Sequence, residues 1–147
     1  MKKIVLSSLF LVGVLQAQMI EVYKSPSCGC CSNWGKNMNQ NGFETKDIKT
    51  DEMISIKSKY KVPLELSSCH TAIVDGYVVE GHVPADEIKS LLAKKPKDVI
   101  GISVPGMPLE SPGMEQGSTP ELYDVVAFKT DGLQEVIATY IGSKKIK

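Results

Sequence analysis

Residues 19–32 read MIEVYKSPSCGCCS. Met19 to Lys24 alternates as a strand does, and Ser25-Pro26-Ser27 breaks it. Three of the chain's four cysteines, Cys28, Cys30 and Cys31, follow within four residues. A helix is expected from about Cys31 to Asn41, because Trp34 and Met38 fall one turn apart on one face and Asn41-Gly42 supplies a left-handed stop. A cysteine pair between a strand and the start of a helix sets the frame for the rest of the chain.

Phe43 to Ile48 reads as a second strand. Thr50 or Asp51 is placed to cap a second helix, with Met53, Ile56 and Tyr60 facing inward and Val62-Pro63 ending it. Residues 71–80 (TAIVDGYVVE) are two apolar runs about Asp75-Gly76, the signature of a tight hairpin. Pro84 suits the first turn of a third helix. Asp86 and Glu87 favour its positive end, Ile88, Leu91 and Leu92 form its apolar face, and it stops near Lys95-Pro96. Residues 19–95 therefore read β-α-β-α-β-β-α. That is the order of a thioredoxin-like α/β fold, a central mixed sheet with flanking helices, in which a cysteine pair lies at the start of the first helix. Residues 101–119 (GISVPGMPLESPGMEQGST) are rich in Pro and Gly and are expected to form an irregular loop, long enough to suggest a function of its own. Residues 123–128 and 133–140, about Thr130-Asp131-Gly132, read as a closing C-terminal hairpin, and residues 143–147 as a flexible tail.

The N-terminus, MKKIVLSSLFLVGVLQAQ, opens on Lys2 and Lys3 and continues into a short apolar run from Ile4 to Leu15. This pattern predicts a signal peptide of residues 1–17, cleaved after Ala17, and a single mature domain of residues 18–142 before the tail. The run is short for a bilayer span, so no stable membrane insertion is expected after cleavage. A periplasmic or otherwise exported location follows. The formal net charge is zero and every one of the 17 basic residues is lysine. With neither a global field nor an arginine fork, nucleic-acid binding is not expected.

An exported chain can carry disulfides. Four cysteines are too few for a disulfide-built scaffold, however, and their clustering would close only tiny loops with little gain in stability. The chemistry of the cluster is more informative. Cys28 and Cys31 form a C-x-x-C pair, and a helix N-terminus stabilises thiolate, which serves disulfide exchange and metal binding alike. Cys30 separates the two uses. A thiol–disulfide catalyst needs two cysteines and is exposed to wrong pairings by a third, whereas a soft metal ion gains a ligand. The fourth cysteine lies in Ser68-Cys69-His70-Thr71. Counting back from Gly76 puts Cys69-His70 where thioredoxin-like proteins commonly keep Val-Pro against the cysteine pair. On that fold, Cys69 and His70 face Cys28, Cys30 and Cys31.

Three further residues have two readings each. His82, in EGHVP, is a candidate ligand or a hydrogen-bonded histidine at the start of the third helix. Met107 and Met114 recur in matched Pro-Gly-Met turns and are candidate metal contacts or site caps, or gap-filling residues beneath a loop. Trp34 reads as core packing.

SCGCCSNW, SSCHTAIVDGYVVEGHVP and GISVPGMPLESPGME together resemble the family of small periplasmic metal-binding proteins of the CopG type, over about residues 19–128. The resemblance implies a thioredoxin-like fold, a role in copper resistance, copper bound at Cys28, Cys30, Cys31, Cys69 and His70, and a part in copper redox handling. Three functions remain open at this point. The leading one is a copper-binding protein that buffers, relays or changes the Cu(I)/Cu(II) state, with copper ions and other periplasmic copper-handling proteins as partners and a multi-copper cluster as one form of the site. The second is a thiol–disulfide oxidoreductase in which Cys28 attacks and Cys31 resolves. The third is structural zinc on the same sulfurs, zinc being the second choice of ion.

Overall fold

A computed structural model describes residues 17–147. The region read as a signal peptide lies almost wholly outside them. The chain runs β1 (Gln18–Lys24), α1 (Gly29–Gln40), β2 (Phe43–Lys49), α2 (Met53–Lys59), a 3-10 turn (Leu64–Leu66), β3 (His70–Val74), β4 (Tyr77–Glu80), α3 (Ala85–Lys94), β5 (Val99–Ser103), β6 (Leu122–Lys129), β7 (Gln134–Ile141) and β8 (Lys144–Lys145). The eight strands make one mixed sheet in the order β2-β1-β3-β4-β5-β6-β7-β8. β1 lies parallel to β2 and antiparallel to β3, β3 and β4 form the expected hairpin, and β4 runs parallel to β5.

Local chemistry accounts for most of these elements. Asp75 and Gly76 both take positive φ, 48° and 84°, which gives the turn the twist that β3 and β4 require. Gly42 at φ 90° releases the chain from α1, and Lys95 in a left-handed conformation ends α3. Glu52, with no side-chain cap of its own, precedes α2, and the Thr50 hydroxyl accepts its N–H at 3.1 Å.

The sheet buries both faces, to different depths. Ile20, Val22, Ala72, Val74, Val79 and Ile102 project to one face and pack with Trp34 and Met38 of α1 and Ile88 and Leu91 of α3. Val78 and Phe128 project to the other and meet Leu66, with Tyr60, Val62 and Ile73 at the edge. Period-2 alternation assigns these sides: Ala72 pairs with Val79, and Ile73 with Val78. A fully buried aliphatic side chain of this kind is worth about 1.5–3 kcal/mol, so the α1/α3 face carries most of the stabilisation.

Three expectations change. The loop read over 101–119 starts later, because Gly101, Ile102 and Ser103 belong to β5. Gly101 is required there: a Cβ would come within 2.3 Å of the Val78 carbonyl oxygen. α2 buries none of its residues completely; Met53 and Ile56, with Tyr60 just beyond it, are half-buried, so the inward face is shallow. The tail read over 143–147 turns back onto β7, with Tyr140 and Ile141 paired to Lys145 and Lys144 and with the Ile146 N–H donating to the Thr139 carbonyl at 2.7 Å. An open strand edge has free N–H and C=O groups, and the tail satisfies some of them. Among the described residues no helix is long and apolar enough to cross a membrane.

Candidate metal centre

β1 ends at Lys24, a turn through Pro26-Ser27 follows, and the Cys28 N–H donates to the Ser25 carbonyl at 3.1 Å. Cys28 is the extended N-cap of α1, so the helix opens at Gly29, two residues earlier than its apolar pattern indicates. No side chain caps this end and its first turn holds no acidic residue. Its free N–H groups and positive dipole end are therefore left to the sulfurs. Cys28 and Cys31 are joined as a disulfide, with Cα atoms 5.4 Å apart. Cys30 and Cys69 are free thiols.

Cys30 lies between the two halves of the cluster. Its Sγ is 3.5 Å from that of Cys28 and 3.9 Å from that of Cys69. Cys69 Sγ in turn lies 3.2 Å from His70 Nδ1 and 3.0 Å from His82 Nε2. Two groups of donor atoms share Cys69. Cys28, Cys30, Cys31 and Cys69 form one, Cys69, His70 and His82 form the other, and within each all atoms lie within 4.8 Å of one another. The structure thus brings together all five residues expected to face one another, and adds His82.

His82 is fully buried, and its Nδ1 donates to the Pro112 carbonyl at 2.8 Å. That bond fixes the tautomer and leaves Nε2 with a free lone pair beside Cys69, the arrangement in which a histidine ligates. The Pro112 carbonyl comes from the irregular loop. The next residue, Gly113, rests on α1: a Cβ there would lie 2.5 Å from Trp34 N and 2.9 Å from the Cys30 carbonyl oxygen. The loop therefore lies over the sulfur cluster. Met114 is buried directly after Gly113, whereas Met107 is 52% exposed and follows Gly106, whose carbonyl accepts the Ser68 hydroxyl.

His70 is fully buried with its ring 4.6 Å from that of Trp34, and its Nε2 has no hydrogen-bond partner. Leaving a buried polar nitrogen unpaired costs about 1–3 kcal/mol. Such a cost is commonly tolerated where an ion or a reacting group completes the site. Trp34 itself donates Nε1–H to the Val83 carbonyl at 2.9 Å, which holds the indole beneath His70. Soft thiolates with neutral imidazoles suit Cu(I) and zinc, so the residues present fit a metal.

Electrostatics favour neutral histidines and a protonated Cys69 thiol before metal arrives. Burial holds His70 well below the ordinary histidine range, and the charges of His82, Lys57 and Lys24 add to this. Burial lowers His82 too, against the opposing pull of the Pro112 carbonyl. Burial and the neighbouring Cys30 push the Cys69 thiol up to about 12. A metal ion must displace that proton, so affinity should rise with pH.

The histidines also give a stability prediction. Below about pH 6.5 the unfolded chain binds protons that folded His70 and His82 refuse. Stability of metal-free protein should then fall as pH drops, by up to about 1.4 kcal/mol per pH unit for each histidine. Glu80, whose carboxyl is raised by burial, takes up its proton earlier when folded and offsets part of the loss near its own range. Urea denaturation at pH 7.5 and 5.5 checks this. The His82→Gln variant should show the shallower pH dependence, and equal slopes would contradict the assignment.

Two buried charged residues beside the site, each with a charged partner, are not picked out by its motifs. Lys24 is 2% exposed, pairs with Asp47 at 2.5 Å and donates to Ser32 Oγ at 2.5 Å; Ser32 Oγ in turn donates to the Cys28 carbonyl at 3.3 Å. Its signal was present in the alternation Ile20-Val22-Lys24, which places a charge on the inward face. Glu80 is fully buried and paired with Lys57. Its signal was an acid ending an apolar strand, YVVE.

Known proteins resemble this chain in sequence and in fold. A family described as "Protein of unknown function, DUF411" matches residues 66–114, the stretch that holds Cys69, His70, His82, Met107 and Met114. No curated protein matches. Two solved structures of Copper resistance protein copG do. Form 2 is 42% identical, covers 85% of this chain and 99% of its own, and superposes with a TM-score of 0.81. Form 1 is 42% identical, covers 86% of this chain and 100% of its own, with a TM-score of 0.80. The chain belongs to the CopG copper-resistance family. The likeness to CopG covers far more of the chain than the DUF411 match, which leaves out the helix-borne cysteines Cys28, Cys30 and Cys31.

Proposed function

We propose that this chain is an exported copper-binding protein of copper resistance, holding copper through Cys28, Cys30, Cys31, Cys69, His70 and His82. The observation that carries the reading is Cys30, whose sulfur lies within 4 Å of sulfurs on both sides of the site. A catalyst of disulfide exchange has no use for it there. Four sulfurs and two imidazoles exceed what one Cu(I) needs, which supports a cluster with bridging thiolates. Imidazole makes Cu(II) tolerable, so the same set allows a change of copper oxidation state. Met107 and Met114 serve as caps on the loop above the site. Export to the periplasm rests on the N-terminal charge-then-apolar pattern, and other periplasmic copper-handling proteins are the partners that location provides. The thioredoxin-like reading of the fold rests on the order β2-β1-β3-β4, on its strand directions and on the cysteine pair at the start of α1.

In the mechanism this implies, the protein binds and orients. The uncapped end of α1 presents Cys28, Cys30 and Cys31 together to an incoming ion once the disulfide is reduced. The Pro112 carbonyl keeps the His82 Nε2 lone pair free, Trp34 backs His70, and the loop over 104–118 limits access of water. Bound copper would supply one-electron redox chemistry. Cys28 and Cys31 become ligands only after an external dithiol, itself oxidised to a disulfide, has supplied two electrons and two protons to their disulfide, so filling all four sulfur positions requires a reduced protein.

That disulfide favours a second reading, a thiol–disulfide oxidoreductase using Cys28 and Cys31. One comparison separates the two. Reduced protein should retain Cu(I) against a competing chelator, and metal-free protein should reduce insulin disulfides no faster than free dithiol. Rapid insulin reduction by metal-free protein, unaffected by Cys30→Ser, would favour the oxidoreductase.

A further inference from the structure

The copper site lies on the α1/α3 side of the sheet, where His70 projects with Ala72 and Val74. Thr71 and Glu80 are cross-strand partners on the opposite side, the side of α2. From there Glu80 holds both flanks of the Cys69-His70 dipeptide. Its Oε1 accepts the Ser68 N–H at 2.7 Å, and its Oε2 accepts the Thr71 hydroxyl at 2.7 Å. Ser68 and Thr71 are the residues immediately before Cys69 and after His70. Lys57, on α2, donates to Glu80 Oε1 and also to Thr71 Oγ1, the latter at 3.1 Å. The backbone continues the pattern, since the Gly81 N–H donates to the His70 carbonyl at 3.0 Å.

A fully buried carboxylate is costly, and it is retained here with each oxygen hydrogen-bonded and a cation attached. Its bonds converge on two residues that share one feature, their adjacency to candidate ligands. We infer that Glu80, tied to Lys57, is a positioning residue that fixes Cys69 and His70 in the geometry that captures metal. The inference rests on the copper-binding reading for its second readout and stands apart from it for its first. Because α2 buries no residue completely, the Lys57–Glu80 pair also links a shallowly packed helix on one face to the metal site on the other.

The test compares Glu80→Gln, Lys57→Met and Lys57→Arg with wild type. The first readout is the alkylation rate of each cysteine in reduced, metal-free protein at one fixed pH, followed by peptide mass analysis. The second is Cu(I) affinity by chelator competition. Removing either partner should raise the Cys69 rate about tenfold while Cys28, Cys30 and Cys31 stay within twofold, and should weaken Cu(I) binding by about 10–100-fold. Lys57→Arg, which keeps charge and donors, should read as wild type. The two disrupting variants change the local charge in opposite directions. Opposite shifts in the Cys69 rate would therefore show a field effect alone and overturn the proposal. Equal acceleration of all four cysteines would show general loosening and overturn it, as would rates and affinities unchanged from wild type. If Glu80→Gln fails to fold, Lys57→Met with its Arg rescue decides. Failure of wild type to bind Cu(I) would sink the copper reading and leave the alkylation readout to judge the clamp.

Discussion

Cys30→Ser should lower Cu(I) affinity at least about 100-fold, a loss of about 2.7 kcal/mol, and should reduce the copper bound per chain. The Cys30 sulfur lies 3.5 Å from that of Cys28 and 3.9 Å from that of Cys69, so it joins the helix-borne sulfurs to the Cys69–His70–His82 group. A hydroxyl has nearly the same shape, but its harder oxygen does not suit Cu(I). The fold should survive, because Cys30 is partly exposed and lies outside both apolar cores. Chelator competition and metal analysis on reduced protein read the result, with circular dichroism as the control. Unchanged affinity and stoichiometry would remove Cys30 from the site and return the C-x-x-C frame to redox chemistry.

Gly113→Ala should cost on the order of 3 kcal/mol in stability and lower the melting temperature of the metal-free protein by about 10 °C. Two effects add. Gly113 has φ 88°, where a side chain is strained, and a Cβ would meet Trp34 N at 2.5 Å, Trp34 Cα at 2.8 Å and the Cys30 carbonyl oxygen at 2.9 Å. All three are backbone atoms of α1, which cannot step aside as a flexible side chain would. The loop would have to lift, taking the Pro112 carbonyl from His82 with it. Gly117→Ala is the matched control. It has φ 74° with nothing within 4 Å of the added atom, so only the conformational cost of about 1 kcal/mol applies. Equal losses for the two variants would show that the loop does not press on the helix that carries the cysteines.

The parts of the fold read correctly from sequence are those with strong local signals. Asp75-Gly76 between two apolar runs fixed the β3–β4 hairpin, and Trp34 with Met38 fixed the buried face of α1. The parts that were missed depend on distant partners. Gly101 looked like a loop residue, yet its missing side chain is what lets β5 lie against Val78. Lys144 and Lys145 carry no strand signal; they pair because β7 would otherwise present an open edge. The candidate site divides in the same way. The five residues Cys28, Cys30, Cys31, Cys69 and His70 were legible from motif and strand counting. His82 stayed ambiguous because its ligand-ready tautomer depends on Pro112, thirty residues away. Lys24 and Glu80 were visible only as charges at inward strand positions, and their partners Asp47 and Lys57 lie on other elements. Spacing alone allowed Cys28 and Cys31 to be a disulfide or ligands, and the structure holds them as the disulfide.

The proposed site gathers four cysteine sulfurs and two histidine nitrogens around copper. X-ray absorption on reduced, copper-loaded wild-type protein tests it most directly. Such a site gives an edge of Cu(I) character and a coordination shell dominated by sulfur with a minor nitrogen contribution. A shell of nitrogen and oxygen without sulfur would contradict it.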